Sequence, residues 1–143
     1  MSGDDRLQTS GLSHGKSLHI TPKSKTVLRY LLSAFFLAAG ALHFFKAEAY
    51  AAIVPPYFGQ PLFWVYLTGA CEIAGGLAIL WVSTRKVAGY ALIVLLLAVY
   101  PANIYMATHA QLFQDLAPAE VLWLRLPLQL VFMIWVWWCC LRS

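Results

Sequence analysis

Charge is what this chain has least of. Of its 143 residues, 11% are Asp, Glu, Lys or Arg and 61% are apolar, against about 25% and roughly 45–50% in soluble domains. A water-soluble fold of this size could not cover such an apolar fraction with so few charges. The charge-free gaps are more telling than the total. No charged residue occurs between Arg29 and Lys46, Glu48 and Glu72, Lys86 and Asp115, or Arg125 and Arg142. A soluble enzyme is excluded. Cysteine is scarce too. Cys71, Cys139 and Cys140 form no CxxC pair and no metal-ligand spacing, and they read as small hydrophobes in helices. The chain carries no phosphate-cradling loop, no dinucleotide fingerprint and no nucleophile–base pair. It therefore indicates no catalytic residue, metal or resident cofactor, and independent catalysis is not expected. Its basic residues are scattered and its aromatics lie in apolar runs, which argues against a nucleic-acid partner.

What is present is four long apolar stretches, at about 27–45, 62–82, 87–107 and 121–141. A helix crosses the hydrocarbon core in about 20 residues and a barrel strand in about 9–11. Outside a closed barrel, only helices satisfy their own backbone in lipid. The sequence predicts an all-α integral membrane four-helix bundle, two hairpins in a single domain over 27–143, with the bilayer as its partner. Residues 1–26 are polar, without apolar period, and read as a disordered tail. No apolar run of signal-peptide type follows the early charges. Tyr30, Trp81, Tyr90, Trp137 and Trp138 mark one interface; Tyr50, Tyr57, Trp64, Tyr105 and Trp123 mark the other. Arg6, Lys16, Lys23, Lys25, Arg29, Arg85, Lys86 and Arg142 fall on one side, against Lys46 and Arg125 on the other. Both termini are expected in the cytoplasm.

The polar residues within the spans gather at one depth. His43, Asn103, Arg125 and Gln129 lie toward the outer ends of their helices, and Glu72 near the middle of the second. An ionised residue at the bilayer centre costs at least about 2.5–3.5 kcal/mol. Glu72 must be protonated or paired, and Arg125 is the cation at comparable depth. Gly40, Thr68, Gly69 and Gly76 let neighbouring helices approach. Pro101 and Pro127 each free a carbonyl four residues earlier, at Leu97 and Trp123, beside Asn103 and Gln129. Such irregularity is tolerated where protein or a water-filled cavity satisfies the backbone. The expectation is a ligand pocket lined by His43, Glu72, Asn103, Arg125 and Gln129, with aromatic walls from Phe44, Tyr57 and Tyr100. The segment from Ile53 to Phe58 is too apolar for a solvated loop and is placed to cover it. The competing reading makes the same residues a structural clasp, with Glu72 and Arg125 as an ion pair locking helices two and four.

The segments Gly40-Ala41-Leu42-His43-Phe44, Ile53-Val54-Pro55-Pro56-Tyr57 and Gly69-Ala70-Cys71-Glu72-Ile73 resemble the DoxX-like membrane proteins of bacteria. So do Tyr100-Pro101-Ala102-Asn103-Ile104-Tyr105-Met106-Ala107 and Arg125-Leu126-Pro127-Leu128-Gln129. Ala47 stands where that family usually has a proline after the His-Phe. The resemblance implies a multi-pass protein of the bacterial inner membrane. It also implies an accessory subunit in quinone-linked redox or thiol and oxidative-stress metabolism. A bound quinone and a membrane-associated oxidoreductase are then the expected ligand and partner. Two other readings stand beside it: an assembly subunit without a ligand site, and a small proton-coupled transporter that would need to be a homo-oligomer.

Overall fold

The structure is a computed structural model and describes residues 22–142. Four helices are long and apolar enough to cross a membrane: Lys23–Phe45, Pro61–Ala78, Arg85–Thr108 and Ala119–Leu141. They belong to α1 (Pro22–Phe45), α3 (Pro61–Ala78), α4 (Arg85–Thr108) and α5 (Ala119–Val136), the last continued by a π-helical turn at Trp137–Leu141. A short helix, α2 (Ala47–Ala52), follows α1 almost without interruption. The described residues are otherwise turns and short 3₁₀ segments, with no strand. The chain is an all-helical, multi-pass membrane protein by length and composition of its helices.

The element bounds depart from the sequence expectation at three places. The tail residues 1–21 lie outside the described residues, but residues 22–26 are helical. A proline suits the first helical position, and the added turn is held to the end of the last helix. Lys25 Nζ sits 5.0 Å over the Trp138 ring, and Arg29 Nε donates to the Cys139 carbonyl at 2.9 Å. Second, α3 stops at Ala78, four residues before the expected Val82. Its terminal carbonyls are capped instead: Thr84 Oγ1 donates to Ala78 O at 2.7 Å, and Arg85 to Ile79 O and Leu80 O at 3.1 and 3.4 Å. A cation at a helix C-terminus also meets the negative end of its dipole. Third, α2 occupies the start of the first long loop. With Ala47 at its first position and buried, the chain turns into a second helix rather than an open loop. Pro61 opens α3 and Pro118 directly precedes α5, as expected.

Lipid tails are as apolar as leucine, so helices in a membrane associate through close packing and hydrogen bonds. The tightest pairing is α1 against α3. A Cβ on Gly40 would stand 2.7 Å from Gly69 O, and one on Gly69 only 2.6 Å from His43 Cβ. Near the other end of the pair, Ser33 Oγ donates to Gly76 O at 2.7 Å, fully inside the protein. The main core lies toward the α3–α4 turn and includes Leu32, Phe36, Ile79, Leu92, Leu96, Val136, Cys139 and Cys140. A smaller cluster of Met106, Phe113 and Leu122 closes the α4–α5 pair at the long-loop end. Between these two clusters the α1–α3 pair and the α4–α5 pair leave a space.

Candidate functional site

That space is a cavity of about 540 Å³. Each helix contributes to it at helical spacing, which puts the residues on one face. On α1 these are Phe35, Phe36, Ala39 and His43; on α3, Thr68, Cys71 and Glu72; on α4, Leu95, Leu96, Val99, Ala102 and Asn103; on α5, Arg125, Leu128, Gln129 and Phe132. The floor belongs to the main core through Phe36 and Leu96. Tyr50 of α2 and the residues Ile53, Val54, Pro55 and Phe58 form the cover, as the apolar character of that loop requires. All five polar residues named from the sequence line the cavity together.

Their partners are not the ones charge counting suggests. Glu72 and Arg125 form no ion pair. Because α3 packs on α1, the group brought to Glu72 is His43, whose Nδ1 lies 3.5 Å from Oε2. That nitrogen donates to the Ala39 carbonyl at 2.9 Å, which assigns it the ring proton and leaves Nε2 as an acceptor when the ring is neutral. Glu72 Oε2 is therefore buried without a hydrogen-bond partner, in a side chain only 9% exposed. An unsatisfied buried polar group costs about 1–3 kcal/mol. Arg125, on α5, is exposed, and its one hydrogen bond among the described residues is a weak 3.9 Å contact to Met106 Sδ.

Asn103 and Gln129 are bound to each other. Asn103 Nδ2 donates to Gln129 Oε1 at 2.6 Å, and Gln129 Nε2 donates to the Leu96 carbonyl. The expected free carbonyl was that of Leu97; the bonded one is a residue earlier, on the buried side of α4, while Leu97 points outward. These two residues are thus the clasp between α4 and α5. Glu72, His43 and Arg125 keep hydrogen-bonding capacity for something else.

The expected aromatic walls are corrected. Tyr57 is 74% exposed and does not reach the cavity. The 3₁₀ turn Pro56–Phe58 turns Phe58 inward and leaves the Tyr57 ring outside it, tilted, with centroids 4.8 Å apart. Tyr100 is absent from the walls because the cavity face of α4 runs through Val99, Ala102 and Asn103, and Tyr100 falls outside that face. Phe44 packs on Tyr66 at 5.5 Å, outside. The aromatic walls are Phe35, Phe58, Trp64, Phe132 and Tyr50. Tyr50, assigned from sequence only to the interface, stacks on His43 with ring centroids 4.2 Å apart. Burial holds its phenol above the usual range; Arg125 pulls it down and Glu72 pushes it up. Tyr50 lies seven residues after His43, two helical turns, and that spacing was the available signal. Among the described residues, no group of three His, Cys, Asp or Glu side chains could hold a metal ion.

A family model described as a domain of unknown function, DUF8561, matches residues 32–140. The chain belongs to the DUF8561 family. The matched segment holds every residue that lines the cavity, so the site is part of the DUF8561 domain and not an appendage to it. No curated protein and no solved structure matches the chain.

Proposed function

We propose that this DUF8561 protein binds the head group of a lipid-soluble quinone in the cavity and serves a membrane-associated oxidoreductase as an accessory subunit. One observation carries the reading: the partnerless Oε2 of Glu72, buried in a cavity whose walls are otherwise mostly apolar and aromatic. Ligand sites combine apolar walls with a few convergent polar groups. A ring oxygen can meet Glu72 and His43 on one wall and Arg125 on the other, with Phe35, Phe132 and Tyr50 against the ring faces. The resemblance to DoxX-like proteins supports the same ligand class and a place in the bacterial inner membrane. Electrons would come from the partner. The test is purification of the full chain in a mild detergent, followed by lipid extraction and mass spectrometry. An isoprenoid quinone retained near one per protein is the expected result. Its absence, from membranes rich in quinone, overturns the reading.

The orientation proposed with it is N-in and C-in. Lys23, Lys25, Arg29, Arg85, Lys86 and Arg142 are all at the α3–α4 turn end, and Lys46 is at the other; the side richer in Lys and Arg is the cytoplasmic one. In a Cys71→Ser background, an impermeant thiol reagent applied to intact cells should label Gln114→Cys and spare Ser83→Cys. The reverse pattern would invert the topology.

A further inference from the structure

We propose that the cavity takes only the head of its ligand, and that a hydrocarbon chain on that ligand leaves between α3 and α4 into the lipid. This rests on the quinone reading above and adds the route by which the ligand arrives. The observation is a double exposure. Leu67 and Cys71 on α3 and Ala98 on α4 line the cavity and are also exposed on the outside of the protein. Phe35, Phe58 and Trp64 and, on α5, Arg125 and Leu128 do the same, so the wall is thin in more than one place, and it is the small side chains that single out the α3–α4 stretch.

The helices explain the opening. At the turn end α3 and α4 are in close contact, with Gly75 against Leu92, where a Cβ would come within 2.5 Å of Leu92 Cδ2. Toward the long-loop end both helices line the cavity, and beside Leu67 the side chains there are small: Cys71, Ala98 and Ala102. The gap lies near the middle of both helices, at the depth of acyl chains rather than of water. Other routes are less suited to a chain. The long-loop end is covered by Tyr50 and by Ile53 to Pro55. The wall on the α5 side carries the exposed guanidinium of Arg125, which favours a polar group, and its lower edge is shut by the stacked rings of Phe35 and Phe132, 4.1 Å apart. The α3–α4 window has no ionisable group but the Cys71 thiol. Glu72, next in sequence to Cys71, lines the cavity beside the same opening, so a head bound there starts its chain at the window.

The test uses two probes, dimethoxy-methyl-benzoquinone without a chain and the same ring with a decyl chain. Each is titrated by tryptophan quenching against the purified full chain, wild type and Ala98→Phe, in one detergent so that partitioning cancels in the ratio. Wild type should bind the decyl form at least tenfold more tightly. Ala98→Phe, which fills the window from an exposed position, should remove that advantage and leave binding of the chain-less ring within twofold, which also shows the variant folded. Unchanged decyl binding in Ala98→Phe, or equal loss of both probes, overturns the window. Failure of wild type to bind either probe overturns the quinone reading itself, a different result.

Discussion

Gly69→Val is expected to abolish recovery of folded protein, while Ala70→Val, one residue on and facing outward, leaves it unchanged. A Cβ at position 69 alone would stand 2.6 Å from His43 Cβ and 3.0 Å from the Gly40 carbonyl oxygen. Neither neighbour can move aside, since the first is fixed to its own backbone and the second is backbone. The branched side chain must force α1 and α3 apart along their tightest contact. Overpacking of a close-packed site costs about 1–3 kcal/mol, and more where the neighbours are rigid. Separating this pair also takes His43 from Glu72 and loosens the Ser33 to Gly76 hydrogen bond. The measure is the monodisperse fraction on size-exclusion chromatography after mild solubilisation, with the thermal midpoint of what remains. A Gly69→Val protein as stable as the parent would mean that α1 and α3 do not meet at this face.

Glu72→Ala should reduce co-purified quinone by tenfold or more and leave the protein folded. Asn103→Leu should do the reverse. Glu72 Oε2 makes no hydrogen bond within the protein, though it stands 3.5 Å from His43 Nδ1, so its removal breaks no internal hydrogen bond, whereas a hydrogen bond to a charged or strongly polarised group is worth about 1.5–3 kcal/mol, a factor of ten or more in occupancy. Asn103 is spent on Gln129. Leucine there leaves Gln129 Oε1 without its donor and weakens the α4–α5 seam by an amount near the membrane average of about 0.6 kcal/mol, read as a lower thermal midpoint with quinone retained. Full quinone retention in Glu72→Ala would place the ligand elsewhere. Loss of the folded protein in that variant would return Glu72 to the role of a clasp.

The four helices were legible because length and charge-free composition decide them without reference to neighbours. The depth of the site was legible for a related reason: a polar residue in an apolar run advertises its position along the helix axis. His43, Glu72, Asn103, Arg125 and Gln129 all face one cavity. Pairing was not legible, because it depends on which helix stands next to which. Arg125 was matched to Glu72 by charge alone, but α3 is packed on α1, which brings His43 and not Arg125 to 3.5 Å from Glu72. Rotation was lost at single residues in the same way. Tyr100 lies between Val99 and Asn103 in sequence yet outside their face, and Tyr57 lost its place to Phe58 because the loop makes a 3₁₀ turn at Pro56–Phe58. The π-turn at Trp137–Leu141 had no sequence signal that apolar periodicity could carry.

That π-turn is where α1 and the last helix are joined. Arg29 holds the Cys139 carbonyl, Lys25 covers Trp138, and Gly89 of α4 admits Cys140 so closely that a Cβ would come within 2.7 Å of it. Farther along, Phe35 and Phe132 stack 4.1 Å apart, and beyond them the two helices line opposite sides of the cavity. The arrangement is that of a clothes-peg, sprung at one tip and free at the other. From Cys139 back to Arg125 the helix runs about 20 Å at roughly 1.5 Å per residue. A tilt of about 5° at the fastened tip moves Arg125 by roughly 2 Å. The jaw can therefore widen by more than half the thickness of an aromatic ring, at the expense of the Phe35–Phe132 stacking that joins α1 and α5 partway along.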